Sequence, residues 1–281
     1  MRLTTLGTGT PIPDPARRGP SQVVQSGDDA LLIDCGSGVV QQLVAARIDP
    51  GSIRNVLITH HHSDHTIDLA HFLFTGWVMG WWKQPPAIYG PPGTAEFVRR
   101  LLHAFELDIN FRLQAREQPL ERLVPVCIDI EAGWVLEGND WRVAAFGVEH
   151  EPVHPAFGFR VESGRRSAVV SDDTHPCESL IRNAMETDLL VHEVYWTAGA
   201  EARKQGVSDE ASLARMTAID AYHTGSEELG RVATDCGARA LALSHVLFRG
   251  GGPEDLLSDV RRDYRGPVTV AEDLMAFDLE D

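Results

Sequence analysis

The segment Val56-Leu57-Ile58-Thr59-His60-His61-His62-Ser63-Asp64-His65-Thr66-Ile67-Asp68 decides the reading of this 281-residue chain. Three apolar residues run into a polar stretch, after which apolar residues resume at helical spacing. That is the pattern of a buried strand ending in a loop and a helix. Four histidines and a carboxylate fall between His60 and His65. Imidazole nitrogen and carboxylate oxygen are the ligands Zn²⁺ takes when one position must stay open to water. In extended backbone, residues two apart project to the same side. His60 and His62 can therefore grip one ion, while Asp64 and His65, at the turn into the helix, reach a second beside it. His61 points away and is read as structural. A histidine tag would lie at a terminus, whereas this cluster follows a core strand.

Outward from this segment, short β-rich runs at 1–7, 23–24, 30–33, 56–58, 141–145, 167–170, 189–191 and 240–243 sit beside turn residues. Helical spacing is found at 39–46, 67–78, 95–104, 177–184 and 226–236. Strands come first, then strands and helices alternate, and this order repeats in the second half. With no low-complexity linker or tandem repeat, one α/β domain over residues 1–281 is expected. Gly7-Thr8-Gly9-Thr10-Pro11 lacks the third glycine of a dinucleotide fingerprint and the lysine of a P-loop, so it reads as a tight turn between strands.

The bulk composition is that of a globular protein, 43% hydrophobic and 23% charged, which leaves the function to the motifs. A net charge of −16 argues against tight, non-specific binding to nucleic acid, although a local basic groove or bound metals would reverse the field near a site. Cys35, Cys127, Cys177 and Cys236 form no CxxC pair and fit free thiols in a reducing cytoplasm. The first residues carry no long apolar run, and the most apolar stretch, 72–82, is broken by Gly76 and Gly80. Neither a secretory signal nor a membrane span is expected.

His60-x-His62-x-Asp64-His65 after an apolar strand resembles the signature of the metallo-β-lactamase superfamily. Leu6-Gly7-Thr8-Gly9-Thr10-Pro11, Leu32-Ile33-Asp34-Cys35-Gly36 and Tyr89-Gly90-Pro91-Pro92-Gly93-Thr94 resemble its ribonuclease Z and arylsulfatase-like branch, and the likeness runs from Leu6 to His245. The resemblance implies a four-layer αβ/βα sandwich with two zinc ions at one edge, manganese or iron being alternatives. It also implies the remaining ligands. The segment from Glu149 to Arg160 resembles the stretch that supplies a third histidine to the first metal; His150 fits by its spacing to Gly158, with His154 the competitor. Ser171-Asp172-Asp173-Thr174 is similar to a Ser-Gly-Asp-Thr motif whose Asp bridges both ions, which makes Asp173 the bridge and puts Asp172 where the family has Gly. Leu241-Ala242-Leu243-Ser244-His245 resembles the last motif, with His245 on the second ion. Asp34 is either the partner of a ligand histidine or a turn residue before Gly36.

Two such cations would lower the pKa of a shared water and hold it as hydroxide. Glu193, in His192-Glu193-Val194-Tyr195, and His223, in Tyr222-His223-Thr224, resemble the pair that assists the leaving group in ribonuclease Z. A neighbouring carboxylate raises a histidine's pKa, which suits proton donation. Asp64, Glu193 and His223 are thus the expected catalytic residues. Read alone, His223 is equally a helix cap. His192 is read as packed beneath the site, and His71, His103 and His175 as ordinary residues.

The expected substrate is a small-molecule ester: a sulfate, phosphate or carboxylic ester, or a lactone. Two arguments lead there. One is the charge. The other is that residues 161–172 leave no room for the tRNA-gripping arm that bacterial ribonuclease Z inserts at this place, with Arg165-Arg166 the sole basic pair. Trp77, Trp81 and Trp82 read either as an apolar pocket wall or as core or a dimer contact. The alternative is a ribonuclease Z-like phosphodiesterase acting on RNA, the enzyme that trims the 3′ end of transfer RNA precursors. A non-hydrolytic di-iron oxidoreductase or metal-binding protein is a third reading; such oxidoreductases usually replace the second histidine of the signature by Glu, and His62 is intact. A homodimer is implied by resemblance only.

Overall fold

In the computed structural model, which describes residues 1–280, two seven-stranded sheets face each other. The first half of the chain supplies β1 (Arg2–Gly7), β2 (Ser21–Ser26), β3 (Asp29–Ile33), α1 (Val39–Ala45), β4 (Ile53–Leu57), α2 (Ser63–Thr66), α3 (Leu69–Met79), β5 (Ala87–Gly90), α4 (Thr94–Ala104), α5 (Glu106–Gln114) and β6 (Cys127–Asp129). The second half supplies β7 (Val135–Glu137), β8 (Arg142–Val148), β9 (Ala156–Ser163), β10 (Arg166–Val170), α6 (Glu178–Asn183), β11 (Leu189–Tyr195), α7 (Thr197–Gln205), α8 (Glu210–Ala221), α9 (Ser226–Asp235), β12 (Leu241–Leu247), α10 (Pro253–Val260), β13 (Val268–Val270) and β14 (Met275–Asp278). The sheet orders are β14-β1-β2-β3-β4-β5-β6 and β13-β12-β11-β10-β9-β8-β7. Each sheet is antiparallel at one side and parallel at the other, over β3–β6 and over β10–β13.

Strand alternation explains the layers. Leu31 and Ile33 face the second sheet, among Phe157, Phe159 and Val161, while Leu32 between them packs under α1 and α3 with Val39, Leu43, Phe72 and Leu73. In the second sheet Val170, Leu189 and Val191 point inward, and Val169 and Leu190 pack under α6 and α9 with Leu180 and Leu229. Both sheets are apolar on both faces and must be covered twice, which gives the expected αβ/βα sandwich. Among the described residues no helix is long and apolar enough to cross a membrane.

Each predicted strand and helix overlaps an observed element and runs at most two residues past its ends, but the strands β5, β6, β7, β9, β13 and β14 and the helices α5, α7, α8 and α10 have no counterpart in the sequence reading. Helix α5 buries no residue and α8 buries only Asp220, so neither carries the apolar stripe that betrays a helix in sequence. The predicted helix 67–78 begins instead at Leu69, behind the single turn of α2, and stops at Gly80 in the left-handed region.

One local expectation needs correction, and one alternative is decided. Residues 7–11 are not a tight turn; they open a loop that runs from Thr8 to Pro20 before β2. Asp273 pins it, accepting from Thr8 N (2.9 Å), Thr8 Oγ1 (2.8 Å), Arg18 N (2.7 Å) and Gln42 Nε2 (3.0 Å). Gly7 is required because a Cβ there would run into the Gly19 carbonyl. Asp273→Ala leaves these donors unpaired and is expected to destabilise the fold by about 1–3 kcal/mol, read from urea denaturation. Of the tryptophan segment, Trp77 and Trp82 are core, buried beside Phe72 and donating Nε1–H to the carbonyls of Pro119 and Arg122, while half-buried Trp81 and the edge of Trp82 line a surface cavity remote from the histidines. The segment lies beside Gly51 and Arg54, at the far end of β4.

Candidate metal centre and active site

The parallel strands of both sheets end on the same edge, where open α/β sheets place their ligands. After β4, Thr59 leads into His60; after β10 come Asp172 and Asp173; Glu193 lies on β11 and His245 on β12. The turn of α2 carries Asp64 and His65 with His62 as its N-cap. His150 follows β8.

Their atoms form two cages. In the first, His60 Nε2 is 2.9 Å from His62 Nδ1, which is 3.2 Å from His150 Nε2, and Asp173 Oδ2 lies 3.9 Å from His60 Nε2 and 3.7 Å from His150 Nε2. In the second, Asp64 Oδ2 is 3.5 Å from His65 Nε2 and 3.4 Å from His245 Nε2. Asp173 closes it too, with Oδ2 3.6 Å from His65 Nε2 and Oδ1 3.5 Å from His245 Nε2. Ligands about 2.0–2.1 Å from one tetrahedral Zn²⁺ lie about 3.3 Å from each other, which is the spacing found here. Buried His65 Nε2 and Asp173 Oδ1 have no hydrogen-bond partner, a costly state that a cation would relieve. The donors therefore fit metal in both cages, of which Asp173 is the common wall.

The opposite ring nitrogens are held from behind. His150 Nδ1 meets Tyr222 O at 3.1 Å, and His65 Nδ1 meets Asp34 Oδ2 at 3.0 Å. Asp34 is thus the partner of a clustered histidine, itself held by Thr59 N (2.9 Å) and Thr59 Oγ1 (2.8 Å). Burial, and then the charge of Asp172, push the Asp34 carboxyl up to about 6. His60 Nδ1 lies 3.0 Å from Asp172 Oδ2 and 3.1 Å from Thr59 Oγ1. Asp34, Asp172 and His245 have φ of 59°, 52° and 45°, left-handed conformations that cost a non-glycine residue about 1–2 kcal/mol each. Such strain gathers at sites where side-chain placement matters more than backbone comfort.

Beside the second cage, Glu193 accepts from His223 Nδ1 at 2.8 Å through both oxygens and from Thr174 N at 2.7 Å. One carboxylate thus positions His223 and the loop carrying Asp173. Burial disfavours charge on His223, but the negative charge of Glu193 and its hydrogen bond prevail and lift the pKa to about 9. The rings of His223 and His245 stack at 5.9 Å.

All eight residues of the expected ligand and leaving-group sets beyond Asp64 — His60, His62, His65, His150, Asp173, His245, Glu193 and His223 — meet with Asp64 at this edge. The competitor His154 does not: it is exposed and pairs with Glu151 at 3.8 Å. His61 turns to Thr94 Oγ1 (2.9 Å). His192 is fully buried, and burial lowers its pKa to about 4. The roles of Thr59 and of the Tyr222 carbonyl were not read from sequence; a backbone oxygen has no sequence signal at all.

Two grooves open beside the cages. One, about 560 Å³, runs past Asp64 between Ile67 and the loop bearing Arg17 and Arg18. The other, about 290 Å³, continues from that loop to Arg203 and Arg249.

A family model described as the metallo-beta-lactamase superfamily matches residues 15–185. A protein of Mycobacterium bovis named Ribonuclease Z is 36% identical, across 98% of this chain and 96% of that protein. Among solved structures, the metallo-beta-lactamase fold protein YhfI from Bacillus subtilis superposes with a TM-score of 0.76 at 22% identity, covering 98% of both chains. The short form of human tRNase Z superposes with a TM-score of 0.73 at 24% identity, covering 100% of both.

The mycobacterial likeness overturns the expectation of a small-molecule ester hydrolase whose main partner is a small-molecule substrate. The missing arm does not count against RNA, since a protein named Ribonuclease Z is matched over nearly its whole length by a chain without one. Here β9 and β10 are joined by Gly164 and Arg165 alone. The charge of −16 is a whole-chain sum and does not set the field at one edge, where Arg17, Arg18 and Arg203 line the grooves together with Asp14 and Asp64, and Arg249 is paired with Asp220 at 2.7 Å. Fields near a cleft follow the local groups, not the total.

Proposed function

This chain belongs to the metallo-β-lactamase superfamily and is a metal-dependent hydrolase, and on that premise we propose that it is an RNA phosphodiesterase of the ribonuclease Z kind. The observation that carries the reading is the near-full-length likeness to a protein of that name, and the Glu193–His223 pair beside the cages gives it chemistry. We assign two zinc ions, one to His60, His62 and His150 and one to Asp64, His65 and His245, with Asp173 between them. When bound, such ions acidify a water and polarise a phosphoryl oxygen. Asp64 offers Oδ2 to its cage, and its other oxygen orients the attacking water. His223, charged through Glu193, gives its Nε2 proton to the leaving ribose oxygen, and the diester becomes a monoester and an alcohol. The exposed Arg18 and Arg203 of the two grooves hold flanking phosphates. Residues 1–281 act as one hydrolase domain, and four free cysteines suit the cytoplasm.

The test compares a transfer RNA precursor carrying a 3′ extension with p-nitrophenyl sulfate and a p-nitrophenyl carboxylic ester, with bound metal quantified and Asp64→Ala as control. RNA cleavage that disappears in the variant is the expected result. Turnover of the sulfate or carboxylic ester with no RNA cleavage would sink the reading.

A further inference from the structure

Asp172 stands where a chain of this kind would gain most from glycine: its φ is 52° and its carboxylate is buried, with 6% of the residue exposed. The side chain compensates by reaching two histidines. Its Oδ2 is 3.0 Å from His60 Nδ1 and its Oδ1 is 3.4 Å from His65 Nδ1. Those two rings present Nε2 to different cages, His60 to the first and His65 to the second. A histidine that donates its Nδ1–H to a carboxylate keeps a lone pair on Nε2 and holds its ring plane. We propose that Asp172 is a positioning residue for the metal centre, fixing His60 of the first cage by a hydrogen bond while its other oxygen adds only negative charge beside His65 of the second, whose Nδ1 bonds Asp34. This rests on the ligand set assigned above.

The two histidines depend on Asp172 unequally. His65 Nδ1 also has Asp34 Oδ2 at 3.0 Å, a second and closer carboxylate. His60 Nδ1 has only a neutral alternative, Thr59 Oγ1 at 3.1 Å, whose own proton goes to Asp34 Oδ2. Removing the Asp172 carboxylate therefore leaves His65 with a charged acceptor and His60 without one. The first cage is the one that loses most.

The experiment is competition of Zn²⁺ against a chromophoric chelator, on Asp172→Gly, Asp172→Asn and the unmodified protein, with melting of each metal-free form. The same proteins are loaded with Co²⁺ and their visible spectra recorded. Asp172→Gly suits the backbone, and Asp172→Asn keeps the shape if the glycine variant does not fold. The expected result is two unequal binding steps, one weakened about 10–100-fold in Asp172→Gly and less in Asp172→Asn, with a changed Co²⁺ spectrum. Wild-type affinities for both ions in folded variants would overturn the proposal, even if melting shifts, because a purely structural residue changes stability and not affinity. Loss of affinity as predicted in a protein that cuts no RNA would instead leave this inference standing and remove the proposed substrate.

Discussion

Asp173→Ala is expected to lower hydrolysis about a thousand-fold or more, and to leave the protein with fewer than two metal ions. Asp173 is the one group shared by the cages: Oδ2 lies 3.6–3.9 Å from the Nε2 atoms of His60, His65 and His150, and Oδ1 lies 3.5 Å from that of His245. It is 3% exposed, and although burial opposes its charge, cationic His245 and His65 hold it well below the usual carboxylate range in the metal-free protein. Loss of a metal's charge stabilisation removes several kcal/mol from the transition state, and about 4 kcal/mol corresponds to a thousand-fold. The loop itself should survive, since Thr174 N stays bonded to Glu193. Metal content and kcat/KM on RNA are the readouts. Two bound ions with activity within tenfold of the unmodified protein would contradict the shared-wall assignment.

His223→Ala is expected to cost about 10²–10⁴ in kcat on RNA, the range of a general acid. It should cost far less on bis(p-nitrophenyl) phosphate, whose leaving group departs without a proton. The pH profile carries a sign. His223 must be protonated to donate, so activity holds below its pKa and falls as pH rises through it. Glu193, against the opposing effect of burial, puts that pKa at about 9 in the metal-free site. Nearby cations lower it, and the alkaline limb should therefore lie at or below pH 9 and vanish in the variant. Equal losses on both substrates, or an unchanged alkaline limb, would remove His223 from proton transfer and leave it a structural partner of Glu193.

The sequence by itself determined the half of the site that is local. His60, His62, Asp64 and His65 lie within six positions, so a strand end and one helical turn suffice to aim them, and backbone periodicity reveals both. Strands and helices were legible for the same reason, whereas the layered sandwich was named by likeness to the family, and only the fold shows residues 31–33 facing two different cores. His150, Asp173, Glu193, His223 and His245 could be named only by likeness to known motifs. Nothing in their own spacing says that the ends of β10, β11 and β12 will abut the loop after β4; only the facing of two sheets does that. The likeness already favoured His150 over His154 by its spacing to Gly158, and the fold buries the one beside His62 and leaves the other in solvent. Tertiary structure alone set Asp172 between His60 and His65, which are 112 and 107 residues away in the chain but within 3.4 Å across the cage. It also decided the local field. Composition sums charge over 281 residues, whereas a phosphate at the cages meets the groups that folding brings to that edge, the cage carboxylates and histidines and the arginines of the grooves beside them.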